Sequence, residues 1–348
     1  MKHMYVFCLL LSLVLWQACS TPAAPDHSDK ALTLQEYFAP EDSGIQNGGV
    51  KVIPIKTPAG TYNVWTRRFG HNPKLKVLTL HGGPGATHEY FECIQSFFPR
   101  EGIEFFYYDQ LGSGNSDNPQ GQSEALWQLP RFVDELEQVR VALGLDSNNF
   151  ILLGHSWGGI LAMEYALKYQ QNLKGLIISD MMSSAPEYDK YSEVLAQKLD
   201  PDVLKELRTI EANNDFDNPR YMELLTPNFY NQFICRIPLD QWPEPVNRSF
   251  SKMNPEVYVS MQGPSEFGIS GRLENWDVSK RLPEIKVPTL TVGATYDTMD
   301  PEYMRWMSTQ VQNGQFLLCP NGSHMCMWDD QDVWMNGVMD FVLSLNRS

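Results

Sequence analysis

The segment GHSWGG at 154–159 contains the pattern G-x-S-x-G. It stands between an apolar run at 150–153, typical of a strand, and a predicted helix at 158–169. A strained strand-turn-helix of this kind pushes the serine out of the sheet, where its Oγ can attack a carbonyl. Outside that context the pattern would indicate only a glycine-rich turn. The segment therefore predicts Ser156 as the nucleophile of an acyl-transfer reaction.

A serine hydroxyl is a weak nucleophile and needs a base, which an acid must orient. When a serine occupies such a turn, the acid and then the histidine follow it along the chain. Of the seven histidines, only His324 lies after Ser156, so chain order selects it as the base. Asp297 follows the apolar run 289–292 through a short turn and is the predicted acid. Asp300, three residues further on, is the alternative.

The glycine-rich segment HGGPG at 81–85 ends another apolar run. Glycines let backbone N–H groups approach a developing oxyanion closely. We therefore predict an oxyanion hole formed by the N–H groups of Gly83 and Trp157, with Gly82 as an alternative donor. The segment lacks both the Lys-Ser/Thr of a phosphate-binding loop and the G-x-G-x-x-G pattern, which argues against a nucleotide site.

The elements that must position these residues follow a regular order. Short apolar runs suit strands covered on both faces, as in a parallel sheet, and they occur at 76–80, 103–108, 150–153, 173–179, 288–292 and 315–319. A hairpin across the turn 57–60 precedes them, and segments with helical periodicity lie between them and at 330–345. The succession predicts a mostly parallel, doubly wound α/β sheet.

The pattern changes between 183 and 282, where Met, Tyr, Asn and Pro are frequent and helical stretches such as 191–210 occur. We interpret this region as a helical lid inserted between two parts of one core, 49–182 and 283–348. Its aromatic residues Tyr230, Phe233 and Trp242 could shape a pocket. Aromatic side chains in such a region more often serve packing, so none is assigned to the site.

Five segments together resemble the proline iminopeptidases, including the tricorn-interacting aminopeptidase branch. They are HGGPG at 81–85, YDQLGSG at 108–114, FVDELEQVR at 132–140, GHSWGG at 154–159 and GPSEF at 263–267. The resemblance runs from about residue 49 to residue 345 and is weakest within the lid. It implies an α/β-hydrolase fold and removal of the N-terminal residue of a peptide, often proline, by acyl transfer to serine.

The resemblance also implies how the substrate's amine is bound. Two acidic residues in that branch hold the free α-ammonium, and Glu266 in GPSEF matches the first. The second normally follows the triad aspartate directly, where this chain has Thr298; Asp300 is the candidate to reach the same space. A carboxylate at the lid edge can pair with an ammonium and fix its distance from Ser156, so that one residue is released.

Composition limits the partners. With 27 Lys and Arg against 42 Asp and Glu, the formal charge is −15 in 348 residues, which makes nucleic acid an unsuitable partner. No Cys/His cluster has zinc-ligand spacing, so we expect neither metal nor cofactor. The expected partner is a peptide or amino-acid amide substrate; nothing in the sequence indicates an oligomeric state. Cys319 and Cys326 flank His324 and could pair or remain separate buried thiols.

The N-terminus predicts export. Lys2 precedes an apolar run, 4–16, which is too short to span a bilayer, and the whole of 1–18 is typical of a signal peptide. Cys19 stands where a bacterial lipoprotein would carry its lipid; ordinary cleavage is the alternative. A lead-in segment, 19–48, follows. We expect a periplasmic protein, or one whose only membrane contact is a lipid on Cys19.

The sequence as a whole predicts an exported, metal-independent serine aminopeptidase. An amidase or esterase acting on small amino-acid amides or esters is the alternative, and Thr298 favours it. A catalytically silent binding protein on the same fold is disfavoured, because every catalytic position is filled.

Overall fold

The computed structural model describes residues 47–346. Its centre is an eight-stranded sheet with the strand order β1-β2-β4-β3-β5-β6-β7-β8. The strands are β1 Val50–Thr57, β2 Gly60–Phe69, β3 Lys76–Leu80, β4 Glu104–Asp109, β5 Phe150–His155, β6 Gly175–Ser179, β7 Thr289–Ala294 and β8 Gly314–Cys319. Pairs β1–β2 and β2–β4 are antiparallel, and the remaining pairs are parallel. The sheet is mostly parallel, as the sequence predicts.

Twelve α-helices lie within the described residues. They are α1 Ser123–Leu126, α2 Leu129–Ala142, α3 Trp157–Tyr169, α4 Ala185–Ala196, α5 Pro201–Ala212, α6 Pro219–Leu225, α7 Asn231–Phe233, α8 Glu244–Ser251, α9 Pro255–Met261, α10 Pro301–Gln310, α11 Cys326–Asp329 and α12 Gln331–Ser344. A turn of π-helix, Thr226–Tyr230, continues α6, and 3₁₀ segments include His88–Ser96. Helix α3 packs on β5 and β6, and α12 packs on β7 and β8.

The central strands are buried on both faces, because their successive side chains alternate between two apolar clusters. Val77 and Ile151 belong to the cluster that contains α12, whereas Leu78 and Leu152 belong to the cluster that contains α2 and α3. Every residue of β5 is buried. A rigid strand with both faces covered therefore carries the turn at Ser156.

The lid consists of helices α4 to α9, and a third apolar cluster packs within it. Its two ends meet: Ser184 forms an antiparallel bridge with Asp277, and Val278 N–H donates to Ser183 O at 2.9 Å. The stretch predicted as helical, 191–210, is two helices rather than one. Pro201 cannot continue the helical hydrogen bonding, and the Asp200 side chain accepts from the N–H groups of residues 202 and 203, which starts α5 afresh.

No helix in residues 47–346 is both long and apolar enough to cross a bilayer. Over the same residues, no group of three or more His, Cys, Asp or Glu side chains is arranged to hold a metal ion. The predicted signal peptide, Cys19 and most of the lead-in segment lie outside the described part of the chain.

Candidate active site

Ser156 occupies the turn between β5 and α3 with φ 55° and ψ −128°. This left-handed conformation costs a non-glycine residue energy, and it aims the side chain away from the sheet. The turn is possible because the residues two positions before and after Ser156 are glycines. A Cβ on Gly154 would stand 2.1 Å from Gly158 O, and one on Gly158 would stand 2.1 Å from Leu80 O. The turn therefore requires glycine at both positions, because a side chain there would collide with neighbouring backbone.

His324 lies in the loop after β8, and its ring is held by the loop after β7. Its Nδ1 lies 2.7 Å from Asp297 Oδ1 in a pair that is almost completely buried. The Thr298 hydroxyl also donates to Asp297 Oδ1, at 3.2 Å, and lies 3.4 Å from the same ring nitrogen. With Nδ1–H donated to the carboxylate, His324 Nε2 is available as a proton acceptor.

Ser156 and His324 line one narrow cavity of about 30 Å³, together with Gly82, Gly83 and Glu266. In this part of the chain, no hydrogen bond joins Ser156 Oγ to the His324 ring. Such bonds commonly tighten only when substrate binds. Nucleophile, base and oxyanion loop thus share a single cavity at the carboxyl ends of the strands, where open α/β sheets bind their ligands.

The protonation of His324 depends on two opposing effects. Burial lowers the pKa of the ring, but the negative charge of Asp297 and its hydrogen bond raise it more, and Glu266 adds to the rise. The net result is a pKa above the ordinary 6.5. The carboxylate therefore both orients the ring and stabilises the imidazolium that forms when the serine proton is taken up.

The three N–H groups predicted as oxyanion donors differ in whether they already have a hydrogen-bond partner. Gly82 N–H already donates to Tyr90 Oη at 2.6 Å, so it is engaged. Within residues 47–346 the N–H groups of Gly83 and Trp157 have no hydrogen-bond partner. Gly83 has φ 106°, and a Cβ there would stand 2.7 Å from Ala86 N. The two free donors are those predicted first, on the loop after β3 and at the start of α3.

A buried chain of hydrogen bonds connects this loop to the loop that carries His324, and no local sequence pattern predicts it. His155 Nε2 donates to His324 O at 2.8 Å, because a carbonyl can only accept, and His155 Nδ1 then accepts from Tyr90 Oη at 3.0 Å. Tyr90 Oη in turn accepts from Gly82 N. Burial lowers the pKa of His155 far below its ordinary value, which keeps its ring neutral in this chain.

Glu266 reaches the catalytic cavity from the lid and is surrounded by tyrosines. Tyr258 Oη donates to Glu266 Oε1 at 2.6 Å, Tyr188 Oη donates to the Glu266 carbonyl, and Glu266 N–H donates to Tyr230 Oη. Burial raises the pKa of the Glu266 carboxyl, and the nearby His324 opposes that rise. The cavity thus contains a carboxylate that a cationic group of the ligand would stabilise.

The structure does not bring Asp300 to the cavity. Its Oδ1 accepts from Glu302 N at 2.9 Å and caps helix α10, while Asp297 is the acid paired with His324. Thr298, where the resemblance predicts a second acid, is fully buried against Asp297. The structure therefore gives no support to the expectation that Asp300 replaces that acid, since one oxygen of its side chain caps a helix instead.

The cysteines near the base are free thiols. Cys319 and Cys326 are both buried and unbridged. Cys326 Sγ donates to Asp180 Oδ2 at 3.2 Å. The pairing considered from the sequence is not formed.

Comparisons with known proteins agree with this geometry. Residues 77–331 match the family described as alpha/beta hydrolase fold. The chain is 61% identical over 296 residues to a proline iminopeptidase of Flavobacterium johnsoniae, covering 85% of this chain and 98% of the relative. It is 57% identical to that of Chitinophaga pinensis, covering 85% and 99%.

Among solved structures, the crystal structure of a proline iminopeptidase from Mycobacterium smegmatis superposes with a TM-score of 0.74 at 27% identity, covering 84% of this chain and 98% of that one. The similarity extends over nearly the full length of these relatives and includes both parts of the core. The chain therefore belongs to the proline iminopeptidase family of α/β-hydrolases.

Proposed function

We propose that this chain is an exported serine aminopeptidase that releases an N-terminal residue, proline or another small apolar residue, from peptides. The observation that carries the proposal is the Glu266 carboxylate in the same cavity as Ser156 and His324. A serine nucleophile with a histidine base supplies what acyl transfer to serine requires. A carboxylate placed beside them selects substrates that have a free amine.

In the proposed reaction, Ser156 Oγ attacks the carbonyl carbon of the first residue while His324 Nε2 takes the hydroxyl proton. The N–H groups of Gly83 and Trp157 stabilise the oxyanion; losing one such donor typically costs about a hundredfold or more in rate. His324 gives the proton to the departing amine, and the C–N bond breaks. Water, activated by the same ring, then hydrolyses the ester on Ser156.

The role proposed for Glu266 is to bind the substrate's α-ammonium. An ammonium in this cavity would gain a charge-assisted hydrogen bond, and its charge would offset the desolvation that raises the carboxyl pKa. Hydrogen bonds with three tyrosines hold Glu266 in place. An ammonium bound there would place the carbonyl of the first residue at Ser156, so that one residue is released.

The test compares prolyl p-nitroanilide with its N-acetylated form on purified protein lacking the signal segment. We expect hydrolysis of the free-amine compound and rates at least about tenfold lower for the acetylated one, since acetylation removes the charge that Glu266 would bind. Equal rates for the two compounds would contradict the proposal. Faster hydrolysis of the acetylated compound than of the free-amine compound would also contradict it.

The second candidate is an amidase or esterase of small amino-acid amides or esters. Thr298 favours it, because this buried hydroxyl supplies no second carboxylate for the amine. The same enzyme would then accept amides of single amino acids but not peptides. Comparing prolinamide with a prolyl tripeptide separates the two: a peptidase cleaves both, whereas the amidase cleaves only the first.

Export is proposed from the N-terminal sequence alone. A lipid on Cys19 would anchor the mature protein, since acyl chains contribute about 0.8 kcal/mol per buried CH₂. In a fractionated bacterial host, we expect the wild-type protein with the membranes and Cys19→Ser in the soluble fraction, with unchanged activity. Soluble wild-type protein would indicate ordinary cleavage.

A further inference from the structure

A second cavity lies beside the catalytic one and has no part in the reaction described so far. Its volume is about 300 Å³, and it is lined by the loop after β4 and by the segment leading into α9. Its lining includes Ser113, Asn118, Met253 and Asn254. We call this cavity the polar cleft.

The polar cleft and the catalytic cavity share one wall. Met253 lines both. Its Sδ lies 3.3 Å from the point where a Cβ on Gly83 would stand, and Asn254 N–H donates to Gly85 O at 2.9 Å. The cleft therefore begins directly behind the loop that holds the oxyanion. The thioether between the two spaces is unbranched and flexible, so it can move for a ligand that extends from one to the other.

The polar cleft presents hydrogen-bonding groups and no net charge. Ser113 is 3% exposed, and its Oγ is buried without any hydrogen-bond partner. A buried hydroxyl left unpaired costs about 1 to 3 kcal/mol, so such a group indicates a missing partner. Asn254 donates its side-chain amide to Gly112 O and to Asn118 Oδ1, at 2.8 Å each, and so holds the Asn118 side chain in the lining of the cleft. Its charged groups, Lys252 and Glu256, are of opposite sign.

We propose that the polar cleft binds the peptide that leaves, through the backbone amides of the residues after the scissile bond. This inference rests on the proposed function. An aminopeptidase must accommodate the remainder of its substrate outside the narrow catalytic cavity. A peptide backbone brings both donors and acceptors, which the Ser113 hydroxyl and the Asn118 amide can recognise without net charge. Ser113 Oγ is then a specificity-determining group for peptides over simple amides.

The test uses two substrates with the same first residue: the tripeptide prolyl-glycyl-glycine, and prolyl p-nitroanilide, whose leaving group has no further amide. We expect Ser113→Ala to lower kcat/KM for the tripeptide about two- to tenfold, the ordinary value of one hydrogen bond, and to leave the anilide unchanged. The variant should fold normally, because it removes a polar atom that has no partner in the free protein.

Asn118→Trp, at an exposed position, should fill the polar cleft and give the same selective loss. Ser260→Ala is the matched control: its hydroxyl lies on α9 outside the cleft and donates to Val257 O, so both substrates should react as with wild type. Unchanged tripeptide hydrolysis in both cleft variants, or equal losses on both substrates, would overturn the proposal. A wild-type protein that cleaves neither substrate would instead overturn the proposed function on which it rests.

Discussion

Glu266→Gln isolates the charge that makes this site an aminopeptidase site. Glutamine keeps the size of the side chain, and its Oε1 can still accept the hydrogen bond from Tyr258 that is 2.6 Å long in the wild type. Only the negative charge is lost. A hydrogen bond between charged partners contributes about 1.5 to 3 kcal/mol, which corresponds to about a 10- to 150-fold decrease in kcat/KM for substrates with a free amine.

The assay measures kcat/KM of wild type and variant on prolyl p-nitroanilide and on p-nitrophenyl acetate, which has no amine to bind. We expect the large loss on the first and little change on the second. Glu274→Gln, at an exposed position after α9, is the matched control for loss of one negative charge on the protein. Equal losses on both substrates would refute the reasoning, because they would mean that Glu266 supports the lid rather than the ammonium.

Three further predictions concern the base and its partners. Asp297→Asn should lower kcat by several orders of magnitude, since loss of the corresponding carboxylate costs about 10⁴-fold in a serine protease. Asp300→Ala should leave kinetics unchanged and lower the free energy of unfolding by about 1 kcal/mol through loss of the α10 cap; the opposite pattern of effects would exchange the two roles. Because His324 must be neutral to accept a proton and its pKa lies above 6.5, kcat/KM should fall on acidification through a midpoint above 6.5, and a flat profile to pH 5 would contradict it. Thr298→Val, which removes the hydroxyl bonded to Asp297, should lower kcat about two- to tenfold with KM unchanged, and Thr298→Ser should restore it; a Ser variant as slow as Val would assign Thr298 to packing.

The sequence predicted the parts of this structure that local patterns encode. Continuous apolar runs predict strands that are buried on both faces, such as Phe150–His155, and the glycines around Ser156 predict the turn. The break in the lid at Pro201 was also readable locally, from an aspartate followed by proline, but the helical periodicity on either side concealed it.

The remaining features depend on contacts between distant residues. Tyr90 and His155 are 65 positions apart, and His155 and the carbonyl of His324 are 169 apart, so no spacing in the chain indicates their hydrogen bonds. Asp297 and Asp300 both follow β7, and only the folded loop shows that one meets the histidine while the other caps a helix. Pattern reasoning finds the elements, but packing decides which side chains meet.

The central claim is covalent catalysis by Ser156, and the most direct measurement is the turnover of prolyl p-nitroanilide by Ser156→Ala. Alanine retains the Cβ, so the strained turn at φ 55° is unchanged, and circular dichroism and thermal unfolding should match wild type. With no substitute nucleophile in the cavity, kcat should fall at least about a thousandfold. A correctly folded Ser156→Ala protein that retained more than a few per cent of wild-type turnover would contradict the account.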